Sequence, residues 1–311
     1  MRSECDMMGK KRSSKYRKGT KRMKYFLIIL LMLALFFTGI MIYDVNRFAT
    51  VKYKLTSPKL KKAYRFVLLS DLHNKQFGKE NEKLFAAIEK LRPDGILMAG
   101  DMITAKIGQD MKPTLRFIQK LAAKYPVFYG QGNHEYRLEL YPETYQDMFS
   151  ELQAGLGGCG IEPMKNCHVK LPQYGITIYG AEIERKYYQR FKTLPMDSDY
   201  LKNLLGNPDP GVFTILIAHN PEYFPEYEAW GADLVLSGHV HGGLMRLPFL
   251  GGVVSPAIRL FPKYDGGLFH GKTGRMILSR GLGTHTLPIR IFNPGELILV
   301  ELEAEKNSGK G

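Results

Sequence analysis

The sequence predicts an α/β protein, a four-layer α/β/β/α sandwich preceded by one N-terminal transmembrane helix. Three observations carry that reading. An uncharged apolar run fills residues 25–43, strands and helices alternate after residue 64, and the second half is dense in short β-prone runs.

The apolar run comes first. At ~1.5 Å rise per residue it reaches ~28 Å, close to the hydrocarbon thickness of a bilayer. The residues that follow it, Asp44, Val45, Asn46, Arg47 and Phe48, offer no small-residue cleavage site. An uncleaved signal anchor is therefore preferred over a cleaved signal peptide. The formal net charge is +14, but ten Lys/Arg against only Glu4 and Asp6 lie in residues 1–24. A basic tail beside an apolar run sets membrane topology before it binds nucleic acid, so no nucleic-acid partner is expected. The expected organisation is a basic cytoplasmic tail (1–24), a transmembrane anchor (25–43) and a Lys-rich juxtamembrane linker (44–63). One large extracytoplasmic domain (64–303) and a polar C-terminal tail (304–311) follow. The localisation this implies is the cell membrane, crossed once.

Within the domain, residues 65–70, 95–99 and 127–129 are short apolar, β-prone runs. Between them, Leu84, Ala87, Ile88 and Leu91, then Leu115, Ile118 and Leu121, recur at helical spacing, and a third helix is expected over 142–154. Strands that are apolar throughout are buried on both faces, which places helices outside a sheet. Residues 176–179, 214–217, 234–236, 275–278 and 297–300 are further short β candidates, read with the first half as one sandwich of two sheets with helices on the outer faces. Cys5 falls on the cytoplasmic side of the anchor. Cys159 and Cys167 lack metal or redox spacing, and between a short-loop disulfide and two free thiols the second is preferred.

Chemistry gathers where these strands stop. The first is followed by Ser70-Asp71-Leu72-His73, the second by Gly100-Asp101, and the third by Gly132-Asn133-His134-Glu135. Later runs lead into His219-Asn220-Pro221 and Ser237-Gly238-His239-Val240-His241. The C-terminal ends of strands in open α/β sheets are where sites assemble. Alternate strand residues point the same way, so Asp71 with His73, and His239 with His241, are expected to reach a common site. Carboxylate with imidazole suits first-row divalent metals better than calcium. Asp101 is of a type that can bridge two ions, as in two-metal phosphatases. Asn133 adds a neutral oxygen, and Gly100, Gly132 and Gly238 let the backbone turn sharply beside the metals. A lone Asp or His at a strand end is usually a turn residue; five such fragments in order are not a chance pattern. His168, His270 and His285 lie outside these fragments and are read as ordinary, with lining the site the lesser alternative for His285.

The order D-x-H, G-D, G-N-H-E, H, G-H-x-H resembles the calcineurin-like metallophosphoesterase superfamily over residues 64–303. The opening Ser70-Asp71-Leu72-His73, the run from Gly238 to Gly243 leading into Leu247 and Phe249, and the stretch from Ser279 to Gly283 are similar to a bacterial branch. That branch comprises membrane-associated phosphodiesterases, including enzymes acting on UDP-2,3-diacylglucosamine. The resemblance implies a binuclear phosphoric ester hydrolase with two divalent ions (Mn, Fe, Zn or similar). It places Asp71, His73 and His241 on one ion, Asn133, His219 and His239 on the other, and Asp101 between them. It implies His134 as general acid, or as a cation on the transition state, and a hydroxide bridging both metals as the nucleophile. The bond attacked would be a phosphodiester or pyrophosphate, and the anchor points to a lipid-linked or cell-envelope substrate. A broad-specificity phosphomonoesterase or nucleotide phosphodiesterase is the second reading, and a membrane-bound metal-binding interaction module the non-enzymatic one. Tyr264, Arg246, Arg259, Arg280 and Arg290 are of types that can meet phosphate or sugar, but a surface or structural role is preferred for each arginine. Residues 244–262 are expected either to dip toward lipid or to cover a sheet edge.

Overall fold

The structure is a computed structural model describing residues 2–189, 192–247, 249–254, 260–284 and 287–305, with backbone alone for residues 2–20. Helix α1 (Arg2–Val45) contains the stretch Lys21–Val45, which is long and apolar enough to cross a membrane. The rest of the chain forms a compact unit of its own that begins at Asp44.

In that unit the first half runs β1 (Phe48–Ser57), β2 (Tyr64–Leu69), α2 (Glu82–Leu91), β3 (Gly95–Ala99), α3 (Lys112–Ala122) and β4 (Val127–Gly130). Helices α4 (Asn133–Leu140), α5 (Pro142–Tyr145) and α6 (Met148–Gly157) follow. The second half runs β5 (Cys167–Leu171), β6 (Ile176–Ala181), α7 (Tyr200–Leu205), β7 (Phe213–Ala218), α8 (Phe224–Trp230) and β8 (Leu234–Ser237). It closes with β9 (Met245–Leu247), β10 (Gly251–Val254), β11 (Gly267–His270), β12 (Arg275–Leu278) and β13 (Gly295–Ala304). One sheet has the order β1-β13-β2-β3-β4, the other β11-β12-β8-β7-β6-β5, and β9 and β10 form a separate hairpin.

The layering follows from period-2 side-chain alternation in strands apolar on both faces. In β2, Phe66 and Leu68 point into the core between the sheets, while Val67 and Leu69 join the layer beneath α2, α3 and α6. Strand β3 divides likewise, Leu97 and Ala99 facing one way and Ile96 and Met98 the other. In the second sheet, Ile215 and Ile217 of β7 meet the inter-sheet core, and Leu216 and Ala218 meet the layer that includes Phe224 and Tyr227 of α8. The result is the α/β/β/α sandwich.

Residues 44–63, expected as a linker, are instead part of the domain. Strand β1 pairs in parallel with β13 from Phe48↔Gly295 to Ser57↔Ala304. Its lysines alternate outward at positions 52 and 54 while Leu55 is buried, so they mark a charged sheet edge rather than an unstructured tether. The single helix expected over 142–154 is two helices, α5 and α6, broken at Gln146, whose φ is +54°. Cys159 and Cys167 are both free.

Candidate metal centre

The five ligand-bearing segments leave strands of both sheets. Strands β2, β3 and β4 are mutually parallel, as are β7 and β8, so the segments after them can gather at one edge of the sandwich. The two sheets are also joined there. His219, after β7, donates from Nδ1 to the carbonyl of Ala99 in β3 at 2.6 Å. The N–H of His239 reaches Asp71 Oδ1 at 3.0 Å, and the N–H groups of Asp71 and His73 donate to Gly100 and Asp101 carbonyls at 3.0 and 3.1 Å.

The expected pairs do converge, but not by strand alternation. Asp71, His73, Asp101, His239 and His241 all lie beyond their strands' last residues, with φ of +51°, +49°, +54°, +75° and +52°. Left-handed backbone at non-glycine residues is costly, on the order of 1–3 kcal/mol each, and concentrates where structure serves a site. Close approach adds a second constraint. A Cβ on Gly100 (φ +85°) would strike the Gly132 backbone, and one on Gly238 would strike Ser70 and the Asp71 carboxylate.

Three groups of candidate donors emerge, in each of which the ligand atoms lie within 4.8 Å of one another: Asp71, His73 and His241; Asp101, His219 and His239; and His73, Asp101 and His134. His241 Nε2 is 3.3 Å from Asp71 Oδ1 and 3.2 Å from His73 Nε2. Two nitrogens at ~2.05 Å from one tetrahedral ion stand about 3.3 Å apart, so this spacing suits a shared cation. His219 Nε2 lies 3.2 Å from Asp101 Oδ2 and 3.9 Å from Asp71 Oδ1, which links the groups. The Asn133 amide oxygen is buried and accepts no hydrogen bond among the described residues, as a donor reserved for an ion would be.

Electrostatics point the same way. Burial raises the Asp71 carboxyl to about 6 with a contribution from Asp101, while His219 opposes the rise. For Asp101, burial is outweighed by His219, His134 and His73, and its carboxyl falls well below the usual range. Burial alone would depress His219, but Asp101 and Asp71 hold it up at about 10. A proton on His219 thus balances carboxylates that a metal cation would balance instead. With its Nδ1–H committed to Ala99, a neutral His219 turns the Nε2 lone pair into the site. Thr104 Oγ1 stands 3.2 Å from His73 Nδ1 and gives His73 a comparable support.

His134 is anchored from both sides. Its N–H donates to Asp101 Oδ1 at 2.8 Å, and its Nδ1 accepts the Ala105 N–H at 2.9 Å. In the neutral ring the proton therefore sits on Nε2.

Several residues matter that no motif role revealed. The Glu135 carboxylate accepts N–H groups of Gly132 and Asp101 at 2.9 Å and of Met102 at 2.8 Å, together with the Tyr129 hydroxyl. It ties the loop after β3 to the start of α4. Burial, then Asp101, pushes its pKa up to about 7. The capping-box position three residues after Gly132 was the available signal. Tyr188 sets its ring edge-on to His239 with centroids 5.4 Å apart, and nothing local in the sequence marks it.

Three of the arginines considered for substrate hold structural contacts, the role preferred for them. Arg280 pairs with Glu296 at 3.0 Å, Arg246 with Asp265 at 3.1 Å, and buried Arg290 donates to the carbonyls of Arg280, Gly281, Gly283 and Asn293. Tyr264 packs in the core against Phe224 and Phe269. His168, on β5, lies against Tyr179 of β6, His270 is exposed on β11, and neither is in a candidate donor group. His285 and Arg259 fall outside the described residues.

Two facing sheets thus carry a carboxylate–imidazole–amide donor cluster of the kind that holds divalent metal ions at their shared edge. The sequence profile of the calcineurin-like phosphoesterases matches residues 64–243, more than half of the chain, and the chain belongs to that family. Among its relatives are the metallophosphoesterase Cj0846 of Campylobacter jejuni (26% identical, covering 80% of this chain and 62% of that protein) and YkuE of Bacillus subtilis (26%, 78% and 79%). A Helicobacter pylori metallophosphoesterase is 28% identical over 78% of this chain and 61% of its own length. The chain thus spans less than two thirds of the Campylobacter and Helicobacter relatives. Among solved structures, TT1561 of Thermus thermophilus superposes with a TM-score of 0.41 at 11% identity, covering 70% of this chain and 88% of that one.

Proposed function

We propose that this protein hydrolyses a phosphodiester or pyrophosphate bond in a lipid-linked or cell-envelope substrate, using two divalent metal ions. The observation that supports it is the pairing of two donor groups, Asp71/His73/His241 and Asp101/His219/His239, a few ångströms apart in one buried cluster. Asp71, His73 and His241 would hold one ion, Asn133, His219 and His239 the other, with Asp101 shared. Such ions supply Lewis acidity and lower the pKa of water, so that hydrolysis proceeds at neutral pH. His134, whose backbone N–H is held by Asp101 and whose ring Nδ1 is held by the Ala105 N–H, then carries an Nε2–H that can hydrogen-bond the leaving oxygen as negative charge develops on it. Glu135 keeps the two loops bearing Asp101 and Asn133 in register. The apolar helix supports an uncleaved anchor with a cytoplasmic N-terminus, which would keep the domain beside an envelope substrate.

The test is elemental analysis of the purified full chain, followed by turnover of bis- and mono-p-nitrophenyl phosphate and of a lipid pyrophosphate. Two ions per chain and preference for diester or pyrophosphate are expected. Selective turnover of the monoester would favour the phosphomonoesterase reading, and no turnover of any ester by a metal-replete chain would favour a binding module.

A further inference from the structure

We infer that the rim formed by the β9–β10 hairpin and its two neighbouring segments is a bilayer-contacting surface that seats the candidate metal centre on the membrane interface. The inference rests on reading residues 25–43 as a membrane span, but not on the identity of the substrate. Phe249, Leu250, Leu260, Phe261 and Leu287 are 53–108% exposed, Phe249 most of all. Single exposed apolar residues need no explanation, whereas a contiguous set marks an interaction surface.

The segments that carry these residues are joined through the backbone. Leu250 donates to Leu247 within the hairpin turn, Phe261 donates to Val253, and Val254 bridges antiparallel to Leu260. Ile291, four residues beyond Leu287, exchanges bonds with Leu244 and Arg246 at 3.1 and 3.0 Å. Phe249 and Phe261 also hold φ of +67° and +48°. For a bulky aromatic this is an unusual conformation, and here it leaves the rings out in solvent. Beside them stands exposed Lys263, its ammonium over the Tyr264 ring at 4.8 Å. A cation next to aromatic and aliphatic side chains is the composition found where protein meets lipid headgroups.

What selects a bilayer as the occupant is where the chain enters the domain. The apolar run ends at residue 43. Asp44, the next residue and almost wholly buried, accepts the Asn293 N–H at 3.0 Å and pairs with Arg47 at 2.8 Å. Asn293 follows Ile291 by two residues and donates from its side chain to the carbonyls of His241 and Gly243, both at 2.8 Å. Asp44, the base of the rim and the loop carrying His241 therefore meet at Asn293. A bilayer that holds residues 25–43 is kept within one or two residues' reach of that point, about 4–7 Å of chain.

The test uses the full chain reconstituted in phosphatidylcholine–phosphatidylglycerol vesicles, with Phe249→Trp and Leu287→Trp on separate segments and Val169→Trp, on the edge strand β5, as reference. Both rim positions are solvent-exposed, so neither substitution disturbs packing. Emission in excess of the wild type, which contains one Trp, should shift to the blue on reconstitution. Brominated phospholipid should quench it at both rim positions and not at 169. Protein that floats with vesicles but whose rim indoles are not quenched overturns the inference while leaving the span intact. Shielding from aqueous quencher without lipid quenching, together with a doubled particle mass, would assign the rim to a second copy and overturn it too. Failure to float would remove the span and the inference together. Because no outcome depends on turnover, failure of the catalytic reading is distinguishable from failure of this one.

Discussion

His134 directly follows a candidate ligand, yet its ring is held by Ala105 and its own N–H by Asp101. If it protonates the leaving group, His134→Ala should retain both ions and lose roughly 10²–10⁴-fold in turnover. The loss should be greatest for esters with basic leaving groups, as read from kcat/KM across a graded series with metal content measured alongside. A uniform loss across the series would instead assign it an electrostatic role. If the Asp101 carboxylate is shared by both donor groups, Asp101→Ala should cost more activity and more metal than Asn133→Ala; equal losses would show that it serves one. His219 sets a pH dependence. In metal-free protein its folded pKa of about 10 lies above the ordinary imidazole value of 6.5. A raised base stabilises the fold fully below the unfolded pKa, and that contribution disappears as pH climbs from 6.5 through 10. The urea midpoint of chelated protein should therefore fall across this window, and the metal-loaded protein, whose His219 is already neutral, should not follow it. The donor residues were legible because each stands where an apolar run stops. Glu135, Tyr188 and Arg290 were not, since what each does depends on backbone or rings distant in sequence.

At the scale of elements, the strands that read clearly are those apolar on both faces, such as β2, β3 and β7. Strand β1 was hidden because an edge strand with outward lysines has the composition of a linker; its alternation was present, but charge dominated the reading. Strand β5 is largely exposed, and β9 and β10 are too short to show a period. The break at Gln146 has no glycine or proline at the kink itself to announce it. Because β1 pairs with β13 along its whole length, a domain beginning at Asp44 should be markedly more resistant to urea than one beginning at residue 60. Equal midpoints for the two truncations would mean that β1 adds nothing to the sheet. Within the inter-sheet core, Phe66→Ala should cost about 3–5 kcal/mol, since the ring is fully buried.

For the whole molecule, the separation of charge from chemistry was legible from composition alone. Most of the net charge of +14 lies ahead of the apolar run, and the donor cluster lies after it. If the N-terminus is cytoplasmic, protease added outside intact spheroplasts should digest the domain and spare the basic tail; the reverse pattern would invert the topology. What composition could not convey is how the sheets are joined. Donors after β2, β3 and β4 belong to one sheet and donors after β7 and β8 to the other, and His219 bonds across the seam to Ala99. Metal ions held by both sets would act as rivets, since ligand that binds only the closed sandwich stabilises it by mass action. Rivets of that kind would make the molecule self-disarming. A chain damaged enough for its sheets to part would scatter its donors in the same event, and would lose any metal-dependent chemistry together with its fold.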